Sequence, residues 1–282
     1  MAGVDRIARR TLLGLGARAV GLGALGVAAV ACGGTDGTKA TPSAQRRTYG
    51  SDPSQYAELY RPAGTPRGVV VVIHGGYWRA EYDASLGAPL AASLAAHGWA
   101  AWNLEYRRVG NGGGVPATLD DVAAGIDLLA ETDLDLSTVL ALGHSAGGHL
   151  AVWAAARGRF DRWSPLRVPL TGVVSQAGLL DLQAAAAADL GNGAIQAFVG
   201  GAIDDRVDPT QQIPLEVPVR CVHAPGDDVV PIAQSRSYVA AATAAGADAE
   251  LTEIDGDHMT PIDVDSPAWT TQLGLLSDLA GG

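Results

Sequence analysis

The chain has 282 residues, of which 48% are hydrophobic and 17% are charged, and its formal net charge at pH 7 is −11. About 250 residues remain after the N-terminal segment, which is typical of one α/β domain rather than two. The apolar share is sufficient for a large core. No basic run follows the N-terminal segment, so the charge pattern argues against a nucleic-acid partner.

The N-terminal segment 1–31 is predicted to be an export signal. A positive stretch containing Arg9 and Arg10 precedes an apolar, Gly- and Ala-rich stretch over 11–31. The Arg-Arg pair resembles a twin-arginine export signal, and the sequence Ala-Val-Ala-Cys ending at Cys32 resembles a lipoprotein cleavage site. We therefore expect an exported protein of the cell envelope, anchored by lipid at Cys32 to the outer face of the cytoplasmic membrane and touching the membrane in no other way.

The mature chain is expected to begin with a flexible tether. Residues 32–48 are rich in Gly, Thr, Ser and Pro, which favours an extended and mobile linker. A single catalytic domain is expected over 49–282. The sequence has two cysteines, so lipidation of Cys32 would leave Cys221 alone and exclude an internal disulfide.

Predicted strands and helices alternate from residue 49 onward. Strands are predicted over 57–61, 68–73, 99–105, 139–142, 171–175, 217–222 and 250–254, and helices over 89–97, 116–131, 146–157, 232–245 and 269–279. This alternation predicts an α/β fold with a mostly parallel central sheet and helices on both faces. The irregular segment 178–216 is expected to be a small insertion before the strand at 217–222.

A motif typical of a catalytic serine follows the fourth predicted strand. It reads Gly143-His144-Ser145-Ala146-Gly147 and opens a predicted helix, which is the strand–turn–helix context of a nucleophile elbow. The two outer glycines are needed because side chains there would collide with nearby backbone. The serine takes a strained conformation that exposes its hydroxyl. We predict that Ser145 is a nucleophile.

A serine hydroxyl needs a general base, and His258 is the predicted one. It follows the last predicted strand in a polar loop, late in the chain, as the order Ser–Asp–His requires. The five other histidines fit structural positions at the ends of elements or within the motifs: His74, His97, His144, His149 and His223.

The acid that orients the base is predicted to be Asp227. It follows the strand at 217–222 after a Gly turn, between the serine and the histidine in the sequence. Two alternatives remain open at this point. Asp228 is adjacent to Asp227, and Asp181 follows the preceding strand.

A Gly-rich loop after the second predicted strand is expected to stabilise the oxyanion. It reads His74-Gly75-Gly76-Tyr77-Trp78. Backbone N–H groups of Gly76 and Tyr77 are the predicted donors, together with that of Ala146 after the nucleophile. The sequence contains no zinc pattern and no phosphate loop, so no metal and no cofactor is predicted.

With these motifs together, the chain resembles the esterase branch of the α/β-hydrolases. That branch includes kynurenine formamidase and bacterial feruloyl-esterase-like (BD-FAE-like) proteins, and the His-Gly-Gly-Tyr-Trp loop is shared with kynurenine formamidase. The segments Glu105-Tyr106-Arg107 and 59–62 add to the resemblance. It extends from residue 49 to the C-terminus.

The resemblance implies an acyl-enzyme mechanism on a small-molecule ester or formamide. We expect an esterase acting on small or medium acyl esters, because formamidase activity serves tryptophan breakdown in the cytosol and this chain is expected to be exported. An arylformamidase is the alternative. A non-catalytic envelope lipoprotein on the same scaffold would need an incomplete triad, whereas all the parts are present here.

Overall fold

The structure is a computed structural model that describes residues 44–281, so the predicted export signal and Cys32 lie outside the described residues. The strands are β1 (Gln45–Thr48), β2 (Tyr56–Tyr60), β3 (Val69–Ile73), β4 (Ala100–Leu104), β5 (Val139–His144), β6 (Gly172–Gln176), β7 (Val219–His223) and β8 (Ala249–Glu253). The helices are α1 (Ala88–Ala96), α2 (Ala117–Asp127), α3 (Ala146–Ala156), α4 (Leu182–Ala187), α5 (Ala194–Val199), α6 (Ala233–Ala244) and α7 (Pro267–Leu279). In this part of the chain no helix has the length and hydropathy needed to cross a bilayer.

The eight strands form one sheet in the order β1-β2-β4-β3-β5-β6-β7-β8. The pairs β1–β2 and β2–β4 are antiparallel, and the pairs from β4 through β3 to β8 are parallel. The predicted α/β fold with a mostly parallel sheet is confirmed. The expected irregular insertion contains the two short helices α4 and α5.

The sheet begins earlier in the chain than the sequence suggested. Strand β1 pairs antiparallel with β2, from Gln45 opposite Leu59 to Thr48 opposite Tyr56. The predicted tether over 32–48 therefore extends too far, since its last four residues belong to the sheet of the catalytic domain. These residues are polar and largely exposed, so they carry no apolar alternation that would mark them as a strand.

Strand β3 shows how the two layers of core are built. All five of its residues are buried and four of them are valine. Val69, Val71 and Ile73 pack in the core cluster that contains α2 and α3, while Val70 and Val72 pack in the cluster that contains α1 and α7. A parallel strand covered by helices on both faces reads as a continuous apolar run for this reason.

The parallel strands bring four loops to the same edge of the sheet. Strands β3, β5, β7 and β8 run in the same direction, so the loops that follow them lie at their common carboxyl edge. These loops are 74–78, the turn at Ser145, the acid loop 224–230 and the segment 254–258. The fold thus gathers the residues singled out in the sequence at one place.

Candidate active site

The turn between β5 and α3 holds Ser145 in a strained backbone conformation. Its φ is 55° and its ψ is −118°, a region that residues other than glycine rarely adopt. A Cβ on Gly143 would lie 2.1 Å from the carbonyl oxygen of Gly147, and a Cβ on Gly147 would lie 2.0 Å from that of Ile73. The requirement for glycine at both positions follows from these two close approaches.

The Gly-rich segment 74–78, the predicted oxyanion loop, lies directly against this turn. A Cβ on Gly75 would lie 2.7 Å from the carbonyl oxygen of His144 and 3.1 Å from the Cβ of Ser145. Gly76, Tyr77 and Trp78 then follow in left-handed conformations, with φ values of 106°, 50° and 53°. The loop therefore turns sharply just beside the serine.

The predicted oxyanion donors are available. Within residues 44–281, the backbone N–H of neither Gly76 nor Tyr77 donates a hydrogen bond to a protein acceptor. Ala146 begins α3, where the first backbone N–H groups of a helix have no partner inside the helix and the helix dipole favours negative charge. Three N–H groups from two elements are thus available for an oxyanion.

The structure brings the predicted base and acid together. His258 Nδ1 lies 2.7 Å from Asp227 Oδ2. Of the two alternative acids, Asp228 is exposed, and Asp181 caps α4 by accepting a hydrogen bond from Ala184 N at 2.8 Å. The hydrogen bond to His258 therefore distinguishes Asp227 from both alternatives.

The Asp227 carboxylate is buried and fully engaged. Burial alone would raise its pKa, but hydrogen bonds from His223, His258 and the backbone N–H of Val230 hold the pKa well below its usual range. Val229 N and Val230 N donate to Oδ1 at 2.9 and 2.8 Å, and His223 Nε2 lies 3.1 Å from Oδ2. The carboxylate is thus ionised at neutral pH.

His144 connects the serine turn to the loop of the base. Its Nε2 lies 2.8 Å from the carbonyl oxygen of His258, and the two imidazole rings are 4.6 Å apart. Burial lowers the pKa of His144 to about 4, so the ring is neutral and its Nε2–H donates to that carbonyl. In the described residues the Ser145 hydroxyl makes no hydrogen bond to a protein group. Hydrogen bonds between a catalytic serine and its base are often long in the free enzyme and shorten when substrate binds.

Buried side chains below the oxyanion loop hold it in place. The His74 ring stacks on Tyr106 at 4.4 Å, and the Tyr106 hydroxyl donates to the carbonyl oxygen of His74 at 2.7 Å. Burial lowers the pKa of His74 to about 3. Arg108 forms a buried ion pair with Glu105, whose Oε2 also accepts from Ala84 N at 2.6 Å. Sequence reasoning noted Tyr106 only as part of a resemblance and did not identify Arg108.

The two aromatic residues of the oxyanion loop have different roles. Trp78 is fully buried and stacks on Phe198 of α5 at 4.3 Å, so it supports the loop from within. The Tyr77 hydroxyl donates to the carbonyl oxygen of Val229 at 3.0 Å, and its ring packs on Gly191 of the insertion. Tyr77 therefore joins the oxyanion loop to the acid loop.

A cavity of about 700 Å³ lies apart from these groups. Its lining residues include Val115, Phe160, Trp163 and Val199, and none of Ser145, Asp227 and His258 is among them. We therefore do not assign it as the acyl pocket. The described residues contain no group of three or more His, Cys, Asp or Glu side chains that would hold a metal ion.

The sequence matches the BD-FAE family over residues 58–241. The chain belongs to this family. The matched region contains the oxyanion loop, Ser145 and Asp227, whereas His258 lies beyond its end. No curated protein matches the sequence.

Solved structures share the fold at low sequence identity. A truncated carbohydrate esterase from gut microbiota superposes with a TM-score of 0.69 at 22% identity, covering 86% of this chain and 99% of that one. Thermogutta terrifontis esterase 2 phosphonylated by sarin gives 0.71 at 21% identity, with coverages of 84% and 94%. An inhibited esterase B from Lactobacillus rhamnosis gives 0.73 at 22% identity, with coverages of 84% and 87%. The BD-FAE chain described here has the α/β-hydrolase fold.

Substituting each of the three candidate acids by asparagine is expected to show that only Asp227 is needed. Asp227→Asn removes the negative charge and can place an amide N–H donor where the carboxylate accepted from His258 Nδ1–H, which favours the wrong tautomer of the imidazole. The rate at which a fluorophosphonate labels Ser145 should therefore fall about 10³- to 10⁴-fold. The matched variants Asp228→Asn and Asp181→Asn should label within about 3-fold of the wild type. A large loss in either matched variant with retention in Asp227→Asn would reassign the acid.

Three buried neutral histidines should make folding sensitive to mild acid. Burial lowers the pKa of His74 to about 3 and those of His144 and His149 to about 4. Because these values are depressed, the stabilising contribution is complete above the unfolded value of about 6.5 and is lost as the pH falls below it. The free energy of unfolding should therefore drop between pH 6.5 and 5, with a limiting slope of about 1.4 kcal/mol per pH unit for each histidine.

Urea unfolding at several pH values measures this slope. His149→Gln should reduce the slope by the share of one histidine, and His97→Gln, which removes an exposed histidine, should leave it unchanged. A free energy of unfolding that is constant over the interval would contradict the assignment of these rings as neutral.

Proposed function

We propose that this BD-FAE protein is a serine hydrolase that cleaves carboxylic esters through an acyl-enzyme intermediate. The observation that carries the proposal is the 2.7 Å contact between His258 and Asp227, with the His258 loop hydrogen-bonded to the strained turn of Ser145. An ionised, buried acid that contacts an imidazole, on a segment hydrogen-bonded to a strained serine turn, is the arrangement that acyl transfer requires.

The proposed reaction has two halves. Ser145 Oγ attacks the ester carbonyl carbon while His258 Nε2 takes its proton, and the N–H groups of Gly76, Tyr77 and Ala146 receive the negative charge that develops on the carbonyl oxygen. His258 then returns the proton to the alcohol oxygen as the C–O bond breaks. Water attacks the acyl-enzyme by the same route and releases the acid.

The residues around this site support substrates with apolar groups. The exposed large hydrophobic side chains of residues 44–281 are Tyr82, Val229 and Met259. Tyr82 packs on Gly76, Val229 accepts the hydrogen bond of Tyr77, and Met259 follows His258 in the chain. Exposed apolar side chains on the loops that carry the polar groups of a site are compatible with small organic ligands.

A substrate panel tests the proposal. Purified protein should hydrolyse short p-nitrophenyl esters, and Ser145→Ala should lose at least about 10³-fold in kcat/KM. A fluorophosphonate should label the wild type at Ser145 and leave the variant unlabelled. If folded wild-type protein shows neither turnover nor labelling, the proposed hydrolase activity is refuted.

The same panel decides between ester and formamide. An esterase is expected to cleave phenyl acetate faster than N-formylkynurenine, with kcat/KM compared for both on one preparation. A clear preference for the formamide would replace the proposal with arylformamidase activity, the alternative that the His-Gly-Gly-Tyr-Trp loop suggested.

We further propose that the enzyme acts outside the cytoplasmic membrane, held by lipid at Cys32. The support is the pattern of Arg9-Arg10, the apolar stretch and the Ala-Val-Ala-Cys sequence. Expressed with its full leader, the wild type should fractionate with membranes and incorporate labelled fatty acid, and Cys32→Ser should do neither. Incorporation of the labelled fatty acid into the Cys32→Ser variant would show that the lipid is not attached at Cys32.

A further inference from the structure

A second histidine contacts the proposed catalytic acid in addition to the base. His223 is the last residue of β7 and is fully buried. Its Nε2 lies 3.1 Å from Asp227 Oδ2, the same oxygen that His258 Nδ1 approaches at 2.7 Å. The reaction described above does not use this histidine, and its ring has no access to solvent or substrate.

Both nitrogen atoms of the His223 ring make hydrogen bonds. Nε2 faces two acceptors, since the carbonyl oxygen of Val230 lies 2.9 Å from it as well. Nε2 must therefore carry a proton, and Nδ1 makes a second hydrogen bond with the Ser235 hydroxyl at 2.8 Å. Ser235 is buried in α6, so the ring is held at both nitrogen atoms.

Because His223 lies on a strand, its contacts attach the acid loop to the sheet. The two backbone N–H groups that bind Asp227 Oδ1 come from Val229 and Val230, which belong to the acid loop itself. They shape the loop but do not fix it relative to the sheet. His223 is part of β7, and its single N–H reaches both the carboxylate of Asp227 and the carbonyl of Val230. The strand thus holds the loop at two points.

We infer that His223 is a positioning residue that fixes the Asp227 carboxylate so that Oδ2 faces the Nδ1 of His258. The inference rests on the proposed function for its kinetic consequence, and its structural content is independent of activity. Without this contact the carboxylate keeps only the hydrogen bonds of its own loop and the one with His258, so nothing from β7 fixes the orientation of the partner of that imidazole.

Two substitutions of His223 test the role by rescue. His223→Leu removes the N–H and keeps an apolar side chain in the buried site. His223→Gln restores an N–H at a similar reach. We expect His223→Leu to lower kcat about 10- to 100-fold, the range for losing a hydrogen bond to a charged group, with KM within about 3-fold of the wild type. His223→Gln should recover most of the loss.

A control separates positioning from folding stability. Val219→Ala, on the same strand and equally buried, should lower the thermal midpoint while leaving kcat unchanged. Ser235→Ala removes the contact to His223 Nδ1 without a large cavity, and it should lower kcat by about 3- to 10-fold. This variant also serves if His223→Leu does not fold. Equal kcat losses in the Leu and Gln variants, or no loss in Leu and Ser235→Ala, would overturn the inference.

A proton NMR measurement distinguishes failure of the inference from failure of the proposed function. The Nδ1–H of His258, bound to Asp227, should give a downfield resonance in the wild type, assigned by its loss in His258→Ala. His223→Leu should broaden it through faster exchange with water, and His223→Gln should preserve it. A wild type without ester hydrolysis would refute the function, and this resonance would still decide the role of His223: an unchanged signal in His223→Leu would overturn it.

Discussion

The close approach of α3 to the end of β3 is the constraint on which the site depends. The first turn of α3 lies so near the carbonyl of Ile73 that position 147 has no room for a side chain. This contact sets Ala146 beside the oxyanion loop and forces Ser145 into a left-handed conformation, which costs of order 1–3 kcal/mol. Burial of the neighbouring strands β3 and β5, all of whose residues are buried, contributes stability that offsets this cost. The strained conformation of Ser145 is thus a consequence of helix-on-sheet packing.

Three buried histidines, His74, His144 and His149, serve as neutral hydrogen-bonding groups inside the fold. His144 and His149 each bind a distant backbone carbonyl, that of His258 and that of Val207, and both are buried. A ring that donates one N–H within the core tolerates burial well as long as it carries no charge. Such bonds tie loops together across long stretches of sequence. His223 and His258 differ from these two rings because each contacts the carboxylate of Asp227.

The parallel strands and the strand–turn–helix context of Ser145 were predictable because their signals are local. Buried parallel strands read as apolar runs, and the serine turn has a motif bounded by a strand and a helix. The contacts of Tyr106 with His74 and of His223 with Ser235 join residues that lie 32 and 12 positions apart, and a single sequence contains no pattern that pairs them. Strand β1 was missed because an edge strand of exposed polar residues has no periodicity to detect. Asp227 and Asp228 are adjacent and both precede His258, so chain order does not separate them, whereas the hydrogen bond of His258 to Asp227 does.

The bond from His144 to the His258 backbone has a mechanical consequence. It joins the segment of His258, the proposed base, to the turn of Ser145, the proposed nucleophile, whereas Asp227 is held to β7 through His223. A shift of the loop after β8 would therefore strain this bond together with the contact between His258 and Asp227.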